Sequence, residues 1–430
     1  MTFIPTKYKL KDCGSGRIFE DEGWTLADPQ ASEPALVRAV YENKSFNLRN
    51  DLDGFYKFAD WLPIKRTLKG SCAPVTYKSK GIAEYLGLEN LYITFSGYYP
   101  EIGAKMETCS FKETEAYSVC AKLPENFNKI LVVASAGNTA RAFAKVCSDN
   151  NIPLLLSIPE DNLSALWFRK PLADCVKIIA APSGSDYFDA IALADKVCKD
   201  SAFLAEGGAK NIARRDGMGT TLLSAVSFIG QIPDAYFQAI GSGTGTIAVW
   251  ENNLRLIEDG RFGTHKMKLY PSQNDPFTIM YDSWKAKSRA LVEMTPEHAR
   301  HCANVIDAKV LSNRKPPYSL KGGLYDAISD AGGDIYKVTN EELEIWKKRF
   351  IELEGVDIHS AAAVAAASLE MAVKDGTVGK EQVIMLNITG GGELHCKARH
   401  SILQAMPHAI IDPSLPDDEV ISKVKQLFNL

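Results

Sequence analysis

Residues 130–147 read ILVVASAGNTARAFAKVC, which is a short apolar run, a turn of small residues and a helical pattern. The apolar run 130–134 predicts a buried strand, and residues 139–147 predict the helix that follows it. The same alternation predicts further strands at 152–158 and 176–180 and further helices at 163–172 and 185–198. Short strands that alternate with helices are typical of a parallel, doubly wound sheet. The sequence therefore predicts an α/β fold.

A second α/β unit is predicted beyond a polar stretch at 207–219. Residues 235–240 predict a strand, 241–246 a glycine-rich turn and 247–257 a helix. The turn GSGTGT offers backbone amides, hydroxyl groups and the positive end of the predicted helix, which together suit a phosphate. A tight strand-to-helix connection with no ligand is the competing interpretation of the same turn.

The last third of the chain predicts a capped helix and one more strand. Thr339 and Glu342 have the spacing of a capping box, and apolar residues recur after them at helical intervals. A buried-type strand at 383–386 then runs into Thr389 and the three glycines 390–392. Glycines at the carboxyl end of a strand are where an open α/β sheet holds its ligand.

The composition excludes several function classes. The 430 residues are 46% hydrophobic and 24% charged with a formal net charge of −4, so the chain is globular and large enough for more than one domain. The absence of a polybasic segment disfavours nucleic acid and anionic membranes as partners. The apolar runs are far shorter than the ~20 residues of a membrane span, and the first residues lack a secretory signal, so a cytoplasmic location is expected. The nine cysteines form no C-x-x-C pair, and neither a disulfide framework nor a metal site is expected.

A lysine motif changes the interpretation of these loops. Residues 108–114 read TCSFKET and stand just before a predicted helix. A lone lysine there is usually a solvated surface charge. Together with a phosphate cradle and two loops of small residues, however, the amine of Lys112 completes the parts that hold pyridoxal phosphate as a lysine Schiff base. A nicotinamide dehydrogenase is disfavoured, because Thr246 stands where the dinucleotide fingerprint requires its third glycine.

On these motifs the chain resembles the fold type II pyridoxal-phosphate enzymes, in particular the threonine synthase branch and, within it, the related cysteate synthase family. The similarity covers most of the chain. It is carried by GSCAPV at 70–75, LGLENLY at 86–92, SFK at 110–112, SAGNT at 135–139, GSGTG at 241–245 and Thr389. Threonine synthases continue the lysine motif as K-D-R, whereas here Glu113 and Thr114 follow Lys112.

The resemblance implies a tryptophan synthase β-like fold with two doubly wound α/β domains. The expected boundaries are 1–112 for the first part of the large domain, 113–210 for the small domain and 211–430 for the rest of the large domain. Lys112 is expected to bear pyridoxal 5'-phosphate and to act as the catalytic base. The residues expected to contact the cofactor are Lys112, Asn138, Gly241, Ser242, Gly243, Thr244, Gly245 and Thr389.

The substrate carboxylate is expected on the loop formed by Ser135, Ala136, Gly137 and Thr139. Candidates for an anionic substrate group are Lys105, Arg141, Lys210, Arg214 and Arg215, with Arg141 the first choice because arginine binds phosphate in a bidentate manner.

The activity that the resemblance implies is replacement of the phosphate of O-phosphoserine by sulfite, which gives cysteate and phosphate and serves coenzyme M biosynthesis. Expected partners are these small molecules, and a homo-oligomer is left open. Two alternatives remain: a threonine synthase acting on O-phosphohomoserine, and a catalytically silent binding protein of the threonine synthase type. Retention of Lys112 disfavours the silent protein.

Overall fold

The computed structural model describes residues 3–135 and 137–430. Its largest sheet has six strands, and its strand order is Tyr336–Val338, Lys268–Asn274, Ala235–Ala239, Val383–Ile388, Asn90–Phe95 and Val75–Lys78. All neighbours in this sheet are parallel except Val75–Lys78, which pairs antiparallel at one edge. The alanine-rich helix Ser360–Lys374 shares an apolar core with this sheet, because its small side chains allow a close approach.

The smaller sheet has five parallel strands, in the order Phe203–Ala205, Ile130–Ala134, Leu154–Pro159, Val176–Ala181 and Ala409–Ile410. The two parallel sheets confirm the predicted α/β fold and its strands near 130, 152, 176, 235 and 383. An antiparallel sheet of three strands precedes them, in the order Ile18–Phe19, Tyr8–Asp12 and Val37–Tyr41. Two short antiparallel pairs complete the strands, Tyr98–Tyr99 with Ala104–Lys105 and Trp167–Phe168 with Leu403–Gln404.

The described residues form thirteen α-helices, several of which pack on the two parallel sheets. They are Gly81–Leu86, Lys112–Lys122, Asn138–Asp149, Tyr187–Val197, Ile212–Ile229, Thr244–Asp259, Ile279–Lys285, Pro296–Val305, Leu324–Ala331, Asn340–Glu354, Ser360–Lys374, Glu393–Arg399 and Asp417–Leu427. Short 3-10 segments lie at Gly54–Trp61, Pro100–Ile102, Glu160–Ala165, Gly208–Lys210 and Lys309–Leu311. The predicted capping box is confirmed, since Thr339 and Glu342 cap each other's backbone at the start of Asn340–Glu354. Within the described ranges, none of the helices combines the length and apolar character of a membrane span.

The predicted helix at 163–172 is wrong. The chain forms the 3-10 segment Glu160–Ala165 and then the short strand Trp167–Phe168, which pairs with Leu403–Gln404. Pro171 lacks a backbone N–H and cannot continue a helix at that point. The buried Trp167 ring packs against the guanidinium of Arg141, on the helix Asn138–Asp149.

The C-terminal segment differs from the expected domain boundaries. Ala409–Ile410 adds the edge strand to the small sheet, with Ile179 opposite Ala409. Val420 and Val424 of the last helix fill an apolar cluster with Leu193 of the small unit. The boundary at 112 and 113 also falls inside the helix Lys112–Lys122. The end of the chain therefore packs with the small sheet, although 211–430 was expected to belong to the large domain.

Candidate active site

Sequence-distant loops meet at the carboxyl ends of two adjacent strands of the large sheet. Ala235–Ala239 leads into the glycine-rich turn, and its neighbour Val383–Ile388 leads into Thr389 and the three glycines. The lysine motif is fastened to the second loop, because the amide of Phe111 donates to the carbonyl of Thr389 at 2.9 Å. The amide of Gly391 donates to the carbonyl of Cys109 at 3.0 Å. The backbone before Lys112 is thus held at the carboxyl end of a central strand of the large sheet.

Lys112 is the first residue of the helix Lys112–Lys122. Its amide donates to the Ser110 hydroxyl at 3.1 Å, which satisfies one of the free amides at the start of the helix. Its Nζ lies 3.1 Å from Oε2 of Glu115, one turn further along. Burial lowers the pKa of Lys112, although the Glu115 carboxylate opposes this shift. A lowered pKa favours the neutral amine, which is the form that attacks an aldehyde.

Glu115 is fully buried and has three polar partners. In addition to Lys112, the Thr139 hydroxyl donates to Oε1 at 2.9 Å and Nη1 of Arg214 lies 3.3 Å from both carboxylate oxygens. Burial would raise the pKa of Glu115, but the positive charges of Arg214 and Lys112 hold it below its ordinary value. The carboxylate is therefore charged and joins the lysine helix to the first turn of Asn138–Asp149 and to the helix Ile212–Ile229.

The glycine-rich turn has the properties of a phosphate cradle. Gly243 adopts φ +77°, and a Cβ at this position would lie 3.0 Å from the Leu324 side chain, so glycine is required. The helix Thr244–Asp259 begins directly after it, and Gly243 offers no side-chain cap. The amide of Thr244 donates to the Ser242 hydroxyl at 3.3 Å, which leaves the next amides of the first turn available. The hydroxyls of Ser242 and Thr244 are 2.8 Å apart. The Thr246 hydroxyl is buried and has no hydrogen-bond partner among the described residues.

The loop around Asn138 offers donors for a second part of a ligand. Oδ1 of Asn138 accepts a hydrogen bond from Arg141 at 3.0 Å, so its side-chain N–H groups remain as donors. The hydroxyl of Ser135 accepts from the amide of Gly137 at 3.1 Å. Ala136, also expected to contact substrate, lies outside the described residues. The site thus combines the amine of Lys112, the turn at 241–246, the side-chain amide of Asn138 and the buried Thr389. Groups of these kinds are suited to bind pyridoxal phosphate.

Arg141 is turned toward the protein. It is 2% exposed, and its guanidinium donates to the carbonyls of Thr108 and Ala165, both at 2.9 Å, and packs over the Trp167 ring at 4.3 Å. These partners, together with Asn138, use four of its five N–H donors. The geometry therefore gives Arg141 a role in holding the lysine motif, and contact with substrate stays a prediction.

The other cationic candidates differ in their exposure and in their carboxylate partners. Lys105 and Lys210 are exposed. Arg215 is fully buried and pairs with Glu251 at 3.1 Å, away from the lysine. Arg214 is the candidate that reaches Lys112 through a shared carboxylate, and it is also paired with Glu206.

Sequence reasoning missed the acidic side chains of the site. Glu393 lies 3.1 Å from Nε2 of His359 and 3.7 Å from Arg141, next to the three glycines. Glu113 accepts from the amide of Thr108 at 2.6 Å, and Glu115 holds Lys112. The sequence offered one signal, since Glu113 and Glu115 follow directly after Lys112, and acidic side chains near a buried amine are normally paired.

Comparisons with known proteins show the family of the chain. The family model for "Pyridoxal-phosphate dependent enzyme" matches residues 102–390. A cysteate synthase of Methanosarcina acetivorans is 45% identical over 416 residues, which covers 96% of this chain and 99% of that protein. The cysteate synthase of Methanosarcina barkeri is 44% identical over 415 residues, with coverage of 96% and 99%. That of Methanocella paludicola is 41% identical over 427 residues, with coverage of 98% and 95%.

Solved structures show the same fold at low sequence identity. Maize serine racemase matches with a TM-score of 0.56 and 15% identity, covering 76% of this chain and 91% of that one. The processed threonine deaminase isoform 2 of Solanum lycopersicum matches with a TM-score of 0.55 and 16% identity, covering 83% and 88%. With two doubly wound α/β units of fold type II and full-length relatives above 40% identity, the chain belongs to the cysteate synthase family of pyridoxal-phosphate-dependent enzymes.

Proposed function

We propose that this enzyme converts O-phosphoserine and sulfite into cysteate and phosphate, with Lys112 as the residue that bears the cofactor. In this replacement the bond between the β carbon and the phosphate oxygen breaks and a bond between the β carbon and sulfur forms. The observation that carries the proposal is the backbone pairing of the Lys112 motif with the Thr389 loop, beside a glycine-rich cradle. The family membership supports cysteate as the product.

Pyridoxal phosphate, when bound, supplies the electron withdrawal that loosens the α proton and the β leaving group. Lys112 takes the α proton as general base and returns it, because its buried amine is shifted toward the neutral form. The 241–246 turn holds the cofactor phosphate through backbone amides. Asn138 donates to a cofactor oxygen, and Ser135, Gly137 and Thr139 receive the substrate carboxylate.

The substrates are anions and need a positive partner near the β carbon. The Arg214 side chain is 13% exposed, lies beside the carboxylate that contacts Lys112, and keeps its charge in that position. Burial lowers its pKa, but the carboxylates of Glu115 and Glu206 outweigh this effect and raise it. Because these two carboxylates already balance the charge of Arg214, we do not assign phosphate or sulfite to it, and Arg141 remains the first residue to test.

Threonine synthase activity is the second candidate. It removes a γ leaving group, which requires a second deprotonation and a longer pocket than β replacement. The K-D-R continuation of threonine synthases is replaced here by Glu113, which is buried and caps the amide of Thr108. This difference next to Lys112 favours the β-replacement reaction.

A product assay tests the proposal. The purified enzyme receives O-phosphoserine with sulfite, water or sulfide in separate reactions, and O-phosphohomoserine with water in a fourth. Cysteate with equimolar phosphate should form fastest in the first reaction, with little threonine in the fourth. Lys112→Ala serves as the inactive control. Faster release of threonine than of cysteate would overturn the substrate assignment and leave the fold and cofactor standing.

A further inference from the structure

A buried cluster of charges surrounds the amine of Lys112. Glu115 lies at its centre, with Lys112 Nζ at 3.1 Å, the Thr139 hydroxyl at 2.9 Å and Arg214 at 3.3 Å. Arg214 in turn is held by a fork of hydrogen bonds to Glu206. Two cations and two carboxylates are thus linked in one chain that connects four segments of the fold.

We propose that Glu115 is a positioning residue for Lys112: its carboxylate holds the ammonium proton in the cofactor-free protein and ties the lysine side chain to Thr139 and Arg214. The inference rests on the proposed function, in which Lys112 bears the cofactor. It deepens that function by assigning a proton-holding role to a residue outside the Ser110-Phe111-Lys112 motif.

A helix-capping role alone does not account for this arrangement. An acidic residue in the first turn of a helix is favoured by the helix dipole, but that effect does not require the carboxylate to be buried. Glu115 instead is fully buried, where an unpaired carboxylate is costly. Its position is explained by its three partners: Lys112 on the same helix, and Thr139 and Arg214 on two other helices.

Charge balance also assigns Glu115 to Lys112. Arg214 already has Glu206 as a carboxylate partner. Glu115 is therefore the carboxylate that balances the charge of Lys112, although it also contacts Arg214. Removing Glu115 would leave Lys112 and Arg214 with one carboxylate between them in a buried region. The lysine ammonium would lose stability first, because lysine gives up its proton much more readily than arginine.

The direction of the effect on Lys112 follows from its surroundings. Burial lowers the pKa of Lys112, Glu115 raises it and Arg214 lowers it. Glu206 lies beyond Arg214 and raises it further. The helix Tyr187–Val197 contributes Tyr187, whose own pKa is raised by burial, so its hydroxyl is neutral near neutral pH. Loss of Glu115 should therefore make Lys112 titrate at lower pH, and loss of Arg214 should make it titrate at higher pH.

Trace labelling of the cofactor-free full-length protein with acetic anhydride tests this inference. Peptide mass spectrometry measures the label on Lys112 across a pH series, with the exposed Lys105 as an internal reference. In Glu115→Gln the midpoint of Lys112 labelling should move to lower pH, with about tenfold more label at neutral pH. In Arg214→Gln the midpoint should move to higher pH. Glu115→Asp, which keeps the charge, should restore part of the wild-type curve.

Glu113→Gln is the matched control, because Glu113 is equally buried on the same helix but contacts Thr108 and lies near Lys145. Its Lys112 curve should match the wild type. If Glu115→Gln leaves the curve unchanged, or Glu113→Gln shifts it equally, the inference is overturned. If Glu115→Gln does not fold, the test rests on the other two variants. Arg214→Gln must move the Lys112 midpoint to higher pH and Glu115→Asp must keep it near the wild type, or the inference is overturned. The label on Lys112 is measured in the cofactor-free protein, whichever lysine bears the cofactor. A negative result would therefore overturn the role of Glu115 without contradicting the proposed function.

Discussion

The backbone amide of Phe111 lies 2.9 Å from the carbonyl of Thr389, although 278 residues separate the two along the chain (389 − 111). This bond fixes the residue before Lys112 to the residue that follows a central strand of the large sheet. The lysine is thereby held against a rigid element, and a rigid support is what a reacting amine needs.

Gly243→Val should weaken cofactor retention. The residue has φ +77°, and a side chain there approaches Leu324, so the turn must shift and its amides leave the phosphate. Gly230→Val is the matched control, since it has φ +85° with open space around it, at the end of the helix Ile212–Ile229. Both variants carry a similar backbone penalty of about 1–2 kcal/mol. Dialysis followed by absorbance should show loss of cofactor from the first variant only; equal retention would make the turn a simple connection.

Arg141→Lys should lower stability and turnover together. Lysine cannot reproduce the hydrogen bonds to Thr108, Ala165 and Asn138 or the stacking on Trp167. We expect a loss of about 2–3 kcal/mol in the free energy of unfolding, as for other buried polar groups that lose partners. Denaturant titration and steady-state kinetics measure the two effects. A selective rise in KM for O-phosphoserine at unchanged stability would instead make Arg141 a substrate contact.

Glu393→Gln should change the response of stability to acid. Burial would raise the pKa of Glu393, but His359, Arg141 and Lys397 hold it well below its ordinary value of 4.5. A carboxyl with a lowered pKa in the folded state stabilises the protein above its ordinary pKa and loses that contribution as the pH falls. The Tm of the wild type should therefore exceed that of the variant at neutral pH, and the gap should close in acid. A gap that is constant across the series would contradict this.

Much of the fold was predictable because its signals are local. Apolar runs such as 130–134, each followed by a helical pattern, predicted the strands of both parallel sheets, and the glycines after 235–240 and 383–386 predicted where ligand loops lie. The return of Ala409–Ile410 to the small sheet was not predictable, because a two-residue edge strand has no period of its own. The same holds for the pairing of Trp167–Phe168 with Leu403–Gln404.

The site was predictable as a set of motifs and not as a set of contacts. Lys112 and the glycine-rich turn carry their chemistry in residue type and spacing. The inward orientation of Arg141 depends on carbonyls of Thr108 and Ala165, whose directions follow from tertiary packing. The contacts of Glu115 were not predictable either, because its partners Thr139 and Arg214 lie on other helices that meet it only in the folded chain.

Borohydride reduction followed by peptide mass spectrometry tests most directly whether Lys112 bears the cofactor. The reduced protein is digested, and the peptide with the pyridoxyl adduct is sequenced, with Lys112→Ala treated in parallel. The account predicts one major adduct on Lys112, a loss of the yellow colour on reduction, and no adduct in the variant. An adduct on the exposed Lys105 or Lys210, retained when Lys112 is replaced, would contradict it.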